Sequence, residues 1–169
     1  MATKTGQNSL SDRVLSVAPH VYAVFASIIF LDSLRYKFTN APETQTIFGK
    51  LDAWTTSFGA PGLFAQTGLF SQYVIGSAEL VAALLLLWGI LPSFRRLQTL
   101  GMLVAFAVMS GAVSFHLFTP LGIDPNNDGG GLFMVAVIVW IGAAMMLVVR
   151  YNQLLVIAKG IGGVFREEL

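Results

Sequence analysis

Cysteine is absent from this chain and charge is scarce. Without a thiol there is no disulfide, no thiolate nucleophile, no cysteine-held iron–sulfur cluster and no CxxC exchange. Charged residues make up only 11% of 169, where roughly a quarter is usual in a soluble domain, and 55% are hydrophobic. The net charge is +1 and the basic residues are scattered, so nothing resembles a nucleic-acid surface. Histidine is also sparse. His20 and His116 fall near opposite ends of their helices, about 20 Å apart in depth at 1.5 Å per residue, which excludes a haem held by both. The chain has no phosphate-binding GxxxxGK[ST] loop, dinucleotide fingerprint or nucleophile elbow.

Long apolar runs are present instead. Residues 73–91, YVIGSAELVAALLLLWGIL, carry one charge, Glu79. As a helix this stretch covers roughly 28 Å, the thickness of a bilayer's hydrocarbon core. A carboxylate in such a run must face protein or water and have a partner. On the helical wheel Gly76, Ala82 and Ala83 share its face, with Val81, Leu84, Leu85 and Trp88 opposite. Small residues belong at membrane helix contacts and bulky ones against lipid. Glu79 is therefore expected to point into a bundle.

Three more runs have the same character. The first is expected over about 13–38, capped by Ser11 or Asp12, with Pro19 in its early turns. Its apolar stretch continues for a full span without a clean small-residue cleavage site, and reads as a retained helix. With spans at about 72–91, 97–118 and 131–150 it predicts one all-α integral membrane domain over 1–169, a four-transmembrane-helix bundle. Gly101-x3-Ala105 and Ala107-x3-Gly111 have the small-x3-small spacing of close helix contact, as Gly76 does beside Glu79. Asn40-Ala-Pro42-Glu43 reads as a helix start, and Ile47, Phe48, Leu51, Trp54 and Phe58 then recur at helical spacing. That predicts an amphipathic interfacial helix over about 43–58, on the membrane surface or capping the bundle. The Gly-rich stretch GAPGLFAQTGLF follows, read as surface packing ahead of a functional lid. Polar residues 1–12 are expected to fray, and 152–169 to form a short interfacial tail weakened by Gly160, Gly162 and Gly163.

The basic residues set an orientation. Lys4, Arg13, Arg95, Arg96, Arg150, Lys159 and Arg166 lie in the termini and the 92–96 loop, against Arg35, Lys37 and Lys50 in the other two loops. This bias places both termini in the cytoplasm. It also gathers Glu79, Asp32, Arg35, Lys37, His116, Asp124 and Asp128 toward the outward side. Asp32 and Arg35 can pair at i, i+3, and Asp124 and Asp128 read as loop caps beside Asn126 and Asn127. Glu79 with Arg35 would be a structural salt bridge; the alternative is a ligand or proton site made of Glu79, Arg35, Lys37, Asp32, His116 and Asp128. Glu79, His116 and Asp128 are of metal-ligating types, but no close spacing marks a site, and no metal is expected.

With these residues on the page, the chain resembles the DoxX family of small bacterial membrane proteins. The resemblance is carried by FLDSLRYKFTNAPET, by YVIGSAELVAALLLLWGIL, and by two further helices divided by a Gly-rich acidic loop, over about residues 14–150. It matches Lys37 to the family's basic residue ending helix one, and Gly76 and Glu79 to its G-x-x-E-L motif. The resemblance implies four membrane helices, the bacterial inner membrane, a redox role linked to quinone, and a redox partner subunit. The residues themselves specify no cofactor and leave a homo-oligomer open. Two functions stand side by side. One is a membrane subunit of a quinone-linked redox system with an outward polar pocket. The other is a structural or interaction protein, or a small-solute permease, whose charges fasten helices. The first predicts an apolar slot beside the polar cluster, the second a cluster closed by helix contact.

Overall fold

The computed structural model describes residues 10–164. Residues 1–9, with Lys4, and the end of the tail from 165, with Arg166, lie outside the described residues. Within them the chain is helical with no strand: α1 (Leu10–Phe38), α2 (Pro42–Thr56), α3 (Gln72–Trp88), a 3-10 turn (Pro92–Phe94), α4 (Arg95–Phe118), α5 (Gly131–Val149) and α6 (Tyr151–Val164). α1 begins at Leu10, so Ser11 and Asp12 lie inside the helix, with Asp12 in its first turn. Pro19 lies inside α1 and is buried. α3 stops at Trp88, earlier than its apolar run, and α4 starts at Arg95 with both arginines in its first turn. α2 starts with Pro42 in its first turn, where a missing N–H is harmless. The tail is helical through Gly160.

Among the described residues three segments are long and apolar enough to cross a membrane: Asp12–Phe38, Pro92–Phe118 and Gly131–Val149. α3 is apolar but only 17 residues long. α1 packs on α3, α3 on α4 and α4 on α5, and a thinner contact between α1 and α5 closes the ring. The outward faces of α1 and α5 carry exposed apolar side chains along their middles: Val21, Phe25 and Ile28 on α1, and Met134, Ile138 and Met145 on α5. A surface of this kind is built for lipid. Against lipid the contacts inside the ring gain little from the hydrophobic effect, so close packing has to hold them.

Glycine supplies that closeness between α3 and α4. A Cβ on Gly101 would lie 2.8 Å from the backbone nitrogen of Leu86, so the two backbones touch there. Ala105, one turn on, is fully buried. The second spacing behaves differently. Ala107 is exposed, and a Cβ on Gly111 would meet no other helix, so Ala107-x3-Gly111 is not a contact stripe. On α3 the predicted face holds but for one residue: Gly76, Glu79, Ala82 and Ala83 are buried and Val81, Leu84 and Trp88 are exposed, whereas Leu85, expected outside, is half-buried close to Gly101 of α4.

α2 and the 57–71 connection form a roof. Leu51, Phe64 and Leu121 make a second buried cluster, with Ile47 and Phe48 packed against it. The Asp52 carboxylate accepts from the Phe64 backbone N–H at 3.0 Å, and the Phe64 ring stands edge-on to Phe115 at 5.2 Å. The Gly-rich stretch thus drives an aromatic inward as packing. Phe58 lies beyond α2, exposed, with its ring edge-on to Trp54 at 4.9 Å.

Candidate functional site: a polar cavity at the loop-rich end

α1 buries a stripe at helical spacing, Ala23, Ala26, Phe30 and Leu34, against the ring. Lys37 is the next residue on that stripe, one turn past Ser33 and in the last turn of the helix. α3 offers Gly76 beneath it. A Cβ there would lie 3.4 Å from the Lys37 side chain, an ordinary van der Waals contact, so the lysine stem passes close over α3 at this point. The ammonium then reaches Glu79, whose oxygens Oε1 and Oε2 accept at 3.0 and 2.9 Å. Its third hydrogen goes to Ser33 Oγ. An ammonium carries three donors and all three are matched. Gln72 fastens the same corner, donating to the Lys37 carbonyl at 2.8 Å.

The pair is withdrawn from solvent, at 15% exposure for the Lys37 side chain and 4% for Glu79. Such a pair needs good geometry, and here all three ammonium hydrogens are matched and both carboxylate oxygens accept from Lys37. Arg35 is not the partner of Glu79. It lies one residue past Leu34, turned about 100° away on the wheel. Its guanidinium meets Asp32 at 2.9 Å, on side chains 67% and 58% exposed, and covers the Tyr36 ring.

Beside the Lys37–Glu79 pair lies a cavity of about 660 Å³, enclosed by α1, α3, α4 and α5 and roofed by α2, Phe64 and Leu121. Phe30, Met109, Ala112 and Ala136 give it apolar walls. Five of the six polar candidates line it: Glu79, Lys37, Asp32, His116 and Asp128; Arg35 does not. The structure adds Ser33, Tyr36, Glu43 and Thr44, whose roles no charge spacing announced. Asp32, Glu43 and Asp128 are exposed as well as lining, and so mark the rim.

His116 sits deeper, 6% exposed, its ring against Phe133. Nδ1 lies 2.6 Å from the Gly122 carbonyl, which only accepts, so Nδ1 carries the hydrogen. Asp128 is occupied at the start of α5. Its two oxygens accept from the backbone N–H groups of Gly130 at 3.0 Å and Leu132 at 2.8 Å, and its own N–H donates to Asp124 at 2.7 Å. The Leu132 N–H holds its carboxyl below the usual carboxylate range. Both aspartates thus serve as loop and helix caps. Among the described residues no three His, Asp or Glu side chains gather closely enough to hold a metal ion.

The opposite end holds a network with little sequence signal. Gln98, fully buried, donates to His20 Nδ1 at 3.1 Å and accepts from Arg150 at 3.0 Å. With the Gln153 amide oriented to donate to Thr99 and the Arg95 carbonyl, its oxygen accepts from Arg150 at 2.8 Å. Burial, and then the Arg95 charge, lower the Arg150 pKa. Uncharged glutamines carry most of this network, and only an unusual burial of amides between helices could have announced it.

Among the described residues the fold and site define an all-helical protein with three helices long and apolar enough to cross a membrane, and with a charged pair set into the wall of a cavity. No protein family, curated protein or solved structure gives a match to the chain.

Proposed function

We propose that this chain is a DoxX-like, four-span protein of the bacterial inner membrane that binds a quinone-type ligand in the cavity as a membrane subunit of a redox system. The observation that carries this reading is the siting of Glu79 and Lys37 at the wall of a cavity of about 660 Å³, with apolar residues around them. Pockets for small ligands run from about 300 to 1,000 Å³ and combine apolar walls with a few placed polar groups. Charges that only fasten helices would be closed in by side chains on every side. Lys37 does have a fastening role, since all of its hydrogens are engaged. The cavity beyond it is extra to that role and supports the ligand reading over a purely structural one.

α3 supplies the fourth span. At 17 residues it covers about 25 Å, flanked along its length by α1 and α4, and these longer neighbours accommodate its shortness. Both termini then face the cytoplasm and the cavity opens toward the outward half of the membrane. Electrons pass to or from the ligand through a separate redox partner.

Binding to purified protein in nanodiscs tests the reading, with decylubiquinone as probe. Saturable binding is expected in the wild type and its loss in Ala112→Phe, whose ring would occupy the cavity, at unchanged helix content. A wild type that binds neither decylubiquinone nor its reduced form would overturn it.

A further inference from the structure

The donors and acceptors facing the cavity are unequal, and the inequality bears on which form of a quinone-type ligand it holds. In the neutral His116 ring, with the hydrogen on Nδ1, the lone pair is on Nε2. Among the described residues no protein group bonds to Nε2, although His116 is more than nine-tenths buried and lines the cavity. Glu79 also only accepts, and Lys37 fills half of what a carboxylate's roughly four lone-pair sites offer. At the rim Glu43 is an acceptor too, whereas Asp128 is engaged by backbone N–H groups and Asp32 by Arg35. On the donor side the one lining cation, Lys37, has no hydrogen to spare. The backbone N–H groups of Gly130 and Leu132, at the start of α5, are taken by Asp128. What remains are hydroxyls of Ser33, Thr44 and Tyr36 and the amides of Asn126 and Asn127, which serve either role.

A ligand oxygen that only accepts could find a donor among these hydroxyls and amides but would leave the Nε2 lone pair unanswered. A ligand hydroxyl answers it. Leaving a buried polar atom unpaired is what makes such sites selective. We infer that the cavity prefers the reduced, hydroxyl-bearing form of its ligand, a hydroquinone, whose O–H donates to His116 Nε2. The inference rests on the quinone-type reading above and adds the oxidation state. His116 is the specificity-determining residue, and it touches the ligand.

The experiment compares decylubiquinone, decylubiquinol held under anaerobic reducing conditions, and the bis-methyl ether of the same hydroquinone, by titration into protein in nanodiscs. The ether keeps the ring and tail but has no O–H. Decylubiquinol is expected to bind about tenfold tighter than either, the worth of one well-placed hydrogen bond. In His116→Phe the preference should vanish, and in His116→Gln, which can offer an amide oxygen, part of it should return. The ether comparison needs no variant, so it decides the matter even if His116→Phe misfolds on losing its bond to Gly122. Equal affinity for all three probes, or tighter binding of the oxidised form, overturns the inference and leaves the quinone-type reading standing. Binding of none overturns both.

Discussion

Lys37 and Glu79, 42 residues apart in the chain, meet through both carboxylate oxygens, and Ser33 takes the ammonium's remaining hydrogen. Removing one partner leaves the other charge buried and uncompensated, at a typical cost of roughly 3 to 5 kcal/mol. Glu79→Gln is therefore expected to lower the thermal midpoint in detergent sharply. Lys37→Met combined with Glu79→Gln should recover part of the loss. A double variant as unstable as the sum of the two singles would mean that the pair carries no coupling.

Arg35 supplies the control. Its contact with Asp32 lies on the surface, where such pairs contribute about 0 to 1 kcal/mol. Arg35→Ala should shift the midpoint little, and combining it with Glu79→Gln should show no coupling. A large interaction energy between Arg35 and Glu79 would contradict the observed pairing.

The two small-x3-small spacings should behave oppositely. Gly101→Val places methyl groups against the Leu86 backbone and should destabilise by about 1 to 3 kcal/mol. Ala107→Val, on an exposed position, should stay within about 0.5 kcal/mol. Paired unfolding curves check this, and equal losses would mean that α3 and α4 do not touch at Gly101.

Asp128 predicts a pH dependence. Its pKa is lowered, chiefly by the Leu132 N–H, so the charged form is favoured in the folded state. The stabilisation is present above the ordinary carboxylate pKa and is lost as pH falls through the depressed value. The thermal midpoints of wild type and Asp128→Ala should differ at pH 7 and converge below about pH 4. A gap that persists unchanged into acid would show that the cap works without its charge.

Topology is checked by reporter fusions after Gln7, Thr56, Ser93, Asn126 and Leu169. Gln7, Ser93 and Leu169 should report from one side and Thr56 and Asn126 from the other. A C-terminus opposite Gln7 would reject an even number of crossings.

The parts of this fold that were legible in the sequence are those set by periodicity and bulk. The small face of α3 around Glu79, the start of α2 at Pro42 and the two aspartate caps follow from the sequence alone. The sequence misplaces the salt-bridge partner of Glu79 at Arg35, because the face of α1 that is buried is known only from the structure. Ala23, Ala26, Phe30 and Leu34 define the buried stripe of α1, and extending it lands on Lys37 and passes by Arg35. The cavity was not legible. A void depends on where α2 and Phe64 settle over the ends of other helices, which no local pattern encodes. The Gln98–Arg150–Gln153 network escaped because amides are silent in a reading guided by charge, and tertiary placement alone buries them.

The Lys37–Glu79 contact also bears on how such a chain is made. Synthesis delivers α1 to the membrane first, with Lys37 in its last turn, where a long side chain can reach the headgroups unaided. α3 comes later with Glu79 near its middle and no basic residue of its own. A charge at mid-helix resists passage from the translocon into lipid by roughly 2.5 to 3.5 kcal/mol. An α1 already in place would offset that resistance by presenting its ammonium. On the four-span reading proposed above, α3 is then expected to insert less well in nascent chains carrying Lys37→Met, and glycosylation mapping of the 57–71 and 92–94 loops would read it.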